Sequence, residues 1–179
     1  MVYKSYYESP VGTIILTSDG TFLTGLWFDT SRFLELREVH EEELKEDLPI
    51  FKETDQWLDD YFASLHPDPA LLSIKAEGTP FSLEVWEILK EIPYGQATTY
   101  GEIAVKLAHK HHKNKMSAQA VGHAVGHNPL SIIIPCHRVM GANHNLTGYG
   151  GGLDVKIALL AHEGMDISQF KRPKRGNAL

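Results

Sequence analysis

Residues 117–139 read SAQAVGHAVGHNPLSIIIPCHRV, and this stretch decides the second half of the chain. Ser117 is a helix N-cap, and the helix it starts must end by Asn128-Pro129, because the residue before a proline is pushed out of the helical region. Three rows run along that helix at i, i+4 spacing. Val121, Ala124 and Val125 form an apolar face, Ala118, Gly122 and Gly126 a small one, and Gln119, His123 and His127 a polar one. Each interior glycine costs about 1 kcal/mol relative to alanine, so the small row needs a reason. Close packing against another helix is one reason; a backbone pressed against a nucleic-acid groove is the other. Beyond Pro129, Ser131 to Ile134 reads as a short buried strand that delivers Cys136-His137-Arg138.

Working outward, Thr79 caps a helix with Pro80 at its first position and Phe81, Val85, Trp86 and Leu89 on one face. Thr99 and Glu102 make a capping box for the next helix, through Ile103, Ala104 and Leu107. Two short helices joined by a connector, the second able to enter a groove, form a helix-turn-helix. The connector, His109 to Lys115, is polar and basic. A last helix turns Leu153, Ile157, Leu160 and Ala161 inward and ends at Glu163-Gly164, with Asp154 in its first turn. Lys171 to Arg175 make a basic tail whose charge can hold phosphates weakly.

In the first half, Gly12 to Thr17 and Phe22 to Phe28 flank Ser18-Asp19-Gly20, an Asp-Gly turn suited to a hairpin. Trp57, Leu58, Tyr61, Phe62 and Leu65 recur at helical spacing and would cover the sheet, with Asp59 and Asp60 outward. Glu41-Glu42-Glu43 is most simply a solvated face or loop.

The 179 residues carry 17 Lys plus Arg against 23 Asp plus Glu, a net charge of -6 that argues against coating nucleic acid by bulk positive charge. The halves differ, however. Residues 1–77 hold 6 basic and 16 acidic side chains, net -10, whereas 78–179 hold 11 and 7, net +4, with eight of the ten histidines. Domains are therefore expected at 1–77 and 78–168, with a basic tail at 169–179. The single cysteine excludes an internal disulfide or a cysteine-rich zinc site and fits a reducing cytoplasm. No apolar stretch approaches the roughly 18 residues of a membrane span, and the first 20 residues hold no signal-peptide core.

A free cysteine is most often a buried small hydrophobe. Cys136, however, is preceded by a proline and followed by a histidine and an arginine, a possible base and a fixed positive charge, and the thiolate is the nucleophilic form. Successive strand residues point opposite ways, so His137 would reach the thiol only through a bridging water or a local bend. Glu163 is a candidate to orient that histidine.

Ile134-Pro135-Cys136-His137-Arg138-Val139, then Gly148-Tyr149, Gly151-Gly152-Leu153, Lys156 and Leu159 to Gly164, resemble the O6-alkylguanine-DNA alkyltransferase family. So do Phe81 to Ala104, with Ile92-Pro93-Tyr94-Gly95 and Thr99-Tyr100-Gly101-Glu102, and Ala120 through Pro129. The first half matches through Ser9-Pro10-Val11-Gly12 and the Trp57 helix. The resemblance implies an α/β (α+β) fold: a ribonuclease H-like small sheet plus helix, then a winged-helix-like helix-turn-helix domain. It implies single-use DNA repair, in which Cys136 takes an alkyl group from O6 of guanine, and from O4 of thymine, in double-stranded DNA. The base must first leave the stack. No cofactor or metal is implied, nor any membrane, and a monomer is expected.

By the same resemblance His137 acts through a water and Glu163, Asn128 braces the active-site turns, and Tyr100 gives a proton to the departing guanine. Tyr149, Gly150, Gly151 and Val125 would line the base pocket, although a need for positive φ explains the glycines equally well. Ala118, Gln119, Gly122, His123 and Arg138 would meet DNA. The family usually has an arginine where this chain has Gln119, which lacks that residue's charge and stacking plane. Two other readings are a non-transferring damage sensor, like the alkyltransferase-like proteins that replace the cysteine, and a cysteine hydrolase. The present Cys136 speaks against the first; the lack of a separate histidine segment or oxyanion motif speaks against the second.

Overall fold

A computed structural model describes residues 1–31, 34 and 41–172. Strands β1 (Val2–Ser9), β2 (Gly12–Ser18) and β3 (Leu23–Phe28) form an antiparallel meander, and β4 (Glu42–Leu44) joins β1 in parallel, giving the order β3-β2-β1-β4. The register sets Ile14 opposite Phe28 and Leu16 opposite Leu26, all buried on one face. At the expected turn the Asp19 carboxylate accepts from the backbone N–H of Thr21 and Phe22, and Gly20 takes φ 102°. β1 was not foreseen, because Lys4, Ser5 and Glu8 interrupt its apolar alternation. The acidic run is an edge strand rather than a loop: Glu42 lies in β4, 3.5 Å from the Lys4 ammonium.

Helix α1 (Pro49–Phe62) covers the sheet with Ile50, Phe51, Trp57, Leu58 and Tyr61. Leu65 departs from expectation. It lies beyond the end of α1 and is 68% exposed.

The second half follows its caps. Thr79 accepts from the Ser82 N–H at the start of α2 (Pro80–Lys90), and the Thr99–Glu102 box opens α3 (Tyr100–Lys110). Ser117 accepts from the Ala120 N–H and starts α4 (Ala118–Gly126); α5 spans Leu153–His162. His109 and Lys110 thus belong to α3 rather than to the connector. On α5, Ala161 is exposed, contrary to its expected inward place, while Lys156 is fully buried.

Ser131 to Ile134 is not a strand. It is a run of turns, with Ile132 at φ 69°, although all four residues are buried. Its pairing is a single bridge, in which Leu26 of β3 donates to the Pro129 oxygen at 2.8 Å and accepts from the Ser131 N–H at 3.0 Å. Two short parallel strands, β5 (Thr98–Thr99) and β6 (Val139–Met140), tie the segment after the cysteine to the start of α3. A single continuous apolar cluster runs from Ile14 and Phe28 through Leu89 and Val121 to Ile133 and Cys136. Phe170 is buried in a small second cluster with Met140 and Leu160, so the chain past 168 is partly held; Pro173, Lys174 and Arg175 lie outside the described residues.

The small row of α4 is not a helix-packing device at Gly122. A β-carbon there would meet only the Tyr100 ring, at 3.7 Å, an ordinary contact. Gly122→Ala is therefore expected to raise stability by about 1 kcal/mol in urea denaturation, from helix propensity alone. A loss of stability would restore the packing explanation.

Candidate active site

Cys136 is 7% exposed and begins a 3-10 turn, Cys136–Arg138, whose first N–H donates to the Ile134 oxygen at 2.7 Å. This turn is the local bend that a strand could not supply. Asn128 braces it. Its side-chain N–H donates to the Ile134 oxygen at 2.7 Å while its Oδ1 accepts from the Leu130 N–H at 2.9 Å, so one amide closes the loop between α4 and the cysteine.

His137 is fully buried, and its Nε2 lies 2.6 Å from Glu163 Oε1. A carboxylate can only accept, so Nε2 carries the proton and Nδ1 keeps a lone pair in the neutral ring. Nδ1 is buried and has no hydrogen-bond partner among the described residues. Burial pushes the proton affinity of His137 down, against the pull of Glu163, which favours the neutral imidazole. Burial also pushes the Cys136 thiol up, with Asn128, the Lys156 charge and Tyr149 acting in the opposite sense. The resting sulfur is a thiol, so its deprotonation must be coupled to a base.

Arg138 is placed differently from expectation: it is buried and turned inward. Its Nε and Nη2 donate to the two Glu163 oxygens, each at 2.9 Å, and its Nη1 donates to the Ile92 oxygen at 2.6 Å. A guanidinium held by both forks is bound as an internal ion pair. Glu163 further accepts from the Tyr61 hydroxyl at 2.8 Å and from the Gly95 N–H at 3.0 Å. Burial alone would raise its pKa, but the bonds from His137 and Arg138 hold the carboxyl well below its ordinary range.

Two further groups escaped the sequence reading. The Lys156 ammonium donates to the oxygens of Val139 at 2.6 Å and Thr147 at 3.4 Å, and burial lowers its pKa to about 8. Its spacing from Leu153 and Leu160 is the signal that could have placed it on the inward face, although a lysine is seldom buried. Thr147 Oγ1 shares a 3.0 Å hydrogen bond with the Tyr100 hydroxyl, whose pKa is raised by burial.

The Tyr149 hydroxyl is buried near Cys136 and Ser131 and makes no hydrogen bond of normal geometry among the described residues. At Gly151 the demand is for space rather than for positive φ, since a β-carbon would come within 2.8 Å of the Phe28 ring; Gly152 takes the positive φ, 97°. Gly150 is half-buried beside them, whereas Val125 packs into the main core that contains Cys136. Ala118, Gln119 and His123 are exposed on α4, with Gly122 half-buried among them. Among the described residues no group of three or more His, Cys, Asp or Glu side chains could hold a metal ion.

Comparison with known proteins gives matches over both halves. Residues 2–66 match the family described as 6-O-methylguanine DNA methyltransferase, ribonuclease-like domain, and residues 80–165 match its DNA binding domain. The chain is 39% identical over 162 residues to a methylated-DNA–protein-cysteine methyltransferase of Haemophilus influenzae, covering 90% of this chain and 86% of the relative. It is 41% identical to that of Methanosarcina acetivorans, over 91% of this chain and 99% of the relative. The solved structure of Mycobacterium tuberculosis OGT in complex with DNA is similar at TM-score 0.76 and 36% identity, covering 94% of each chain.

Glu163 keeps its charge to lower pH folded than unfolded, so the stability it contributes is present above its ordinary value of 4.5 and is lost as pH falls below it. Glu163→Gln should lose about 3 to 5 kcal/mol at pH 7 in urea denaturation, because it leaves the buried Arg138 charge without its partner. The deficit should shrink as pH falls below 4.5. A small, pH-independent deficit would contradict the buried-pair account.

Proposed function

The chain belongs to the 6-O-methylguanine DNA methyltransferase family, and from that premise we propose that Cys136 receives the alkyl group with His137, Glu163, Asn128 and Tyr100 serving the transfer. The protein is a methylated-DNA–protein-cysteine methyltransferase: it binds DNA and repairs it by moving an alkyl group onto its own sulfur, the stoichiometric, suicide reaction characteristic of the family. The observation that carries the assignment is that the chain has a single cysteine, so one thiol alone can be the acceptor.

The substrate we assign is duplex DNA containing O6-alkylguanine, with O4-alkylthymine as a second base. A stacked base hides its O6 substituent, so the nucleotide is swung out into the pocket of Tyr149, Gly150 and Gly151, over the core position Val125. His137 Nδ1 takes the thiol proton through a bridging water. The thiolate then attacks the alkyl carbon, the carbon–O6 bond breaks as the sulfur–carbon bond forms, and the departing guanine collects a proton from Tyr100. The thioether product is not readily hydrolysed, which limits each molecule to one event.

Exposed Ala118, Gln119 and His123 on α4, with half-buried Gly122 among them, are the face we assign to DNA. Grip through the phosphates and the minor groove should weaken as salt rises. Residues 1–77 would form a supporting domain and 78–168 the DNA-binding and transfer domain. No helix among the described residues is long and apolar enough to cross a membrane. A free thiol of this chemistry suits a reducing cytoplasm, and we assign a monomer.

Intact mass after incubation with duplex DNA containing O6-methylguanine should rise by one methyl group. Cys136→Ser should show no gain. An unchanged parent mass would overturn the assignment and favour a non-transferring damage sensor.

A further inference from the structure

Tyr61 lies on α1, in the acidic first half of the chain, yet its hydroxyl donates to Glu163 Oε1 at 2.8 Å, the same oxygen that His137 Nε2 approaches at 2.6 Å. The tyrosine is 2% exposed and rigidly held. Its ring stacks on Trp57 at 5.8 Å and meets Tyr94 edge-on at 5.9 Å, and its backbone oxygen lies 2.8 Å from His162 Nε2. Around Glu163 the other facing groups are the Gly95 N–H, Arg138 and His137; Lys156 and Arg138 are the other charges that act on His137.

We propose that Tyr61 is a positioning residue for alkyl transfer, by which the first half of the chain sets the proton affinity of His137 through the Glu163 carboxylate. The inference rests on the Cys136–His137–Glu163 relay proposed above. A donor on Oε1 withdraws charge from the oxygen that faces the imidazole and fixes the plane of the carboxylate. Without it, Glu163 pulls harder on the imidazole proton, and His137 becomes a stronger base that is protonated at higher pH. Since His137 must be neutral to take the thiol proton, the acid limb of the transfer rate moves up.

Single-turnover transfer from O6-methylguanine duplex, followed across pH, tests this. Tyr61→Phe should displace the acid limb upward by about half a pH unit, a threefold change in proton affinity that slows transfer about threefold on that limb and leaves it near parental on the plateau above. Replacing Tyr61 by 3-fluorotyrosine, a more acidic phenol and stronger donor, should displace the limb downward and keeps the test open if Tyr61→Phe folds poorly. Slower transfer with an unmoved limb in both variants would mean a merely structural role and overturn the inference, as would parental rates throughout. His137→Gln separates the two levels. If it transfers at the parental rate, the relay and this inference both fall; if it is slow while both Tyr61 variants are parental, the inference alone falls.

Discussion

Glu163 is 5% exposed and accepts from Tyr61, Gly95, His137 and twice from Arg138. A buried carboxylate survives only where such donors replace its water. These come from four residues in three places: α1, the turn after α2, and the two residues after the cysteine. The end of α5, where Glu163 sits, therefore ties α1 to the turn after α2 and to the residues after the cysteine. The tautomer of His137 and the internal use of Arg138 follow from the same charge.

The first half of the chain acts as a buttress to this centre. β3 lends part of its outer edge to Pro129–Ser131, so the loop carrying Asn128 and leading to Cys136 is hydrogen-bonded to the N-terminal sheet. Phe28, at the end of the same strand, presses on Gly151, and Thr30 donates to the Gly151 oxygen at 2.8 Å. The loop bearing Tyr149 is thus shaped by residues some 120 positions earlier. Such contacts explain why the two halves share one core although their charges are opposite in sign.

What could be read from sequence was what local physics decides. The Thr79, Thr99 and Ser117 caps, the Asp19-Gly20 turn and the apolar faces of α2 to α4 all depend on residues within one or two turns. Ser131–Ile134 misled because a buried apolar run fits either a strand or a tightly wound turn, and only the single bridge to β3 distinguishes them. Arg138 misled for a related reason. A cation in a DNA-binding half suggests phosphate, and its partner Glu163 lies 25 positions away. The pairing of His137 and Glu163 was legible through the family resemblance; Tyr61 and Gly95 were not, since nothing in their own neighbourhoods marks them as donors to a distant carboxylate.

The overall charge of -6 concealed an uneven distribution, an acidic half at -10 and a +4 half that carries the exposed face of α4. The proposed transfer depends on one ring, His137, being neutral with a free lone pair on Nδ1. Nitrogen-15 NMR of the protein labelled at histidine measures that directly. At pH 7 His137 should be the neutral tautomer protonated on Nε2, with an unprotonated Nδ1. An Nδ1-protonated tautomer, or an imidazolium at that pH, would contradict the account.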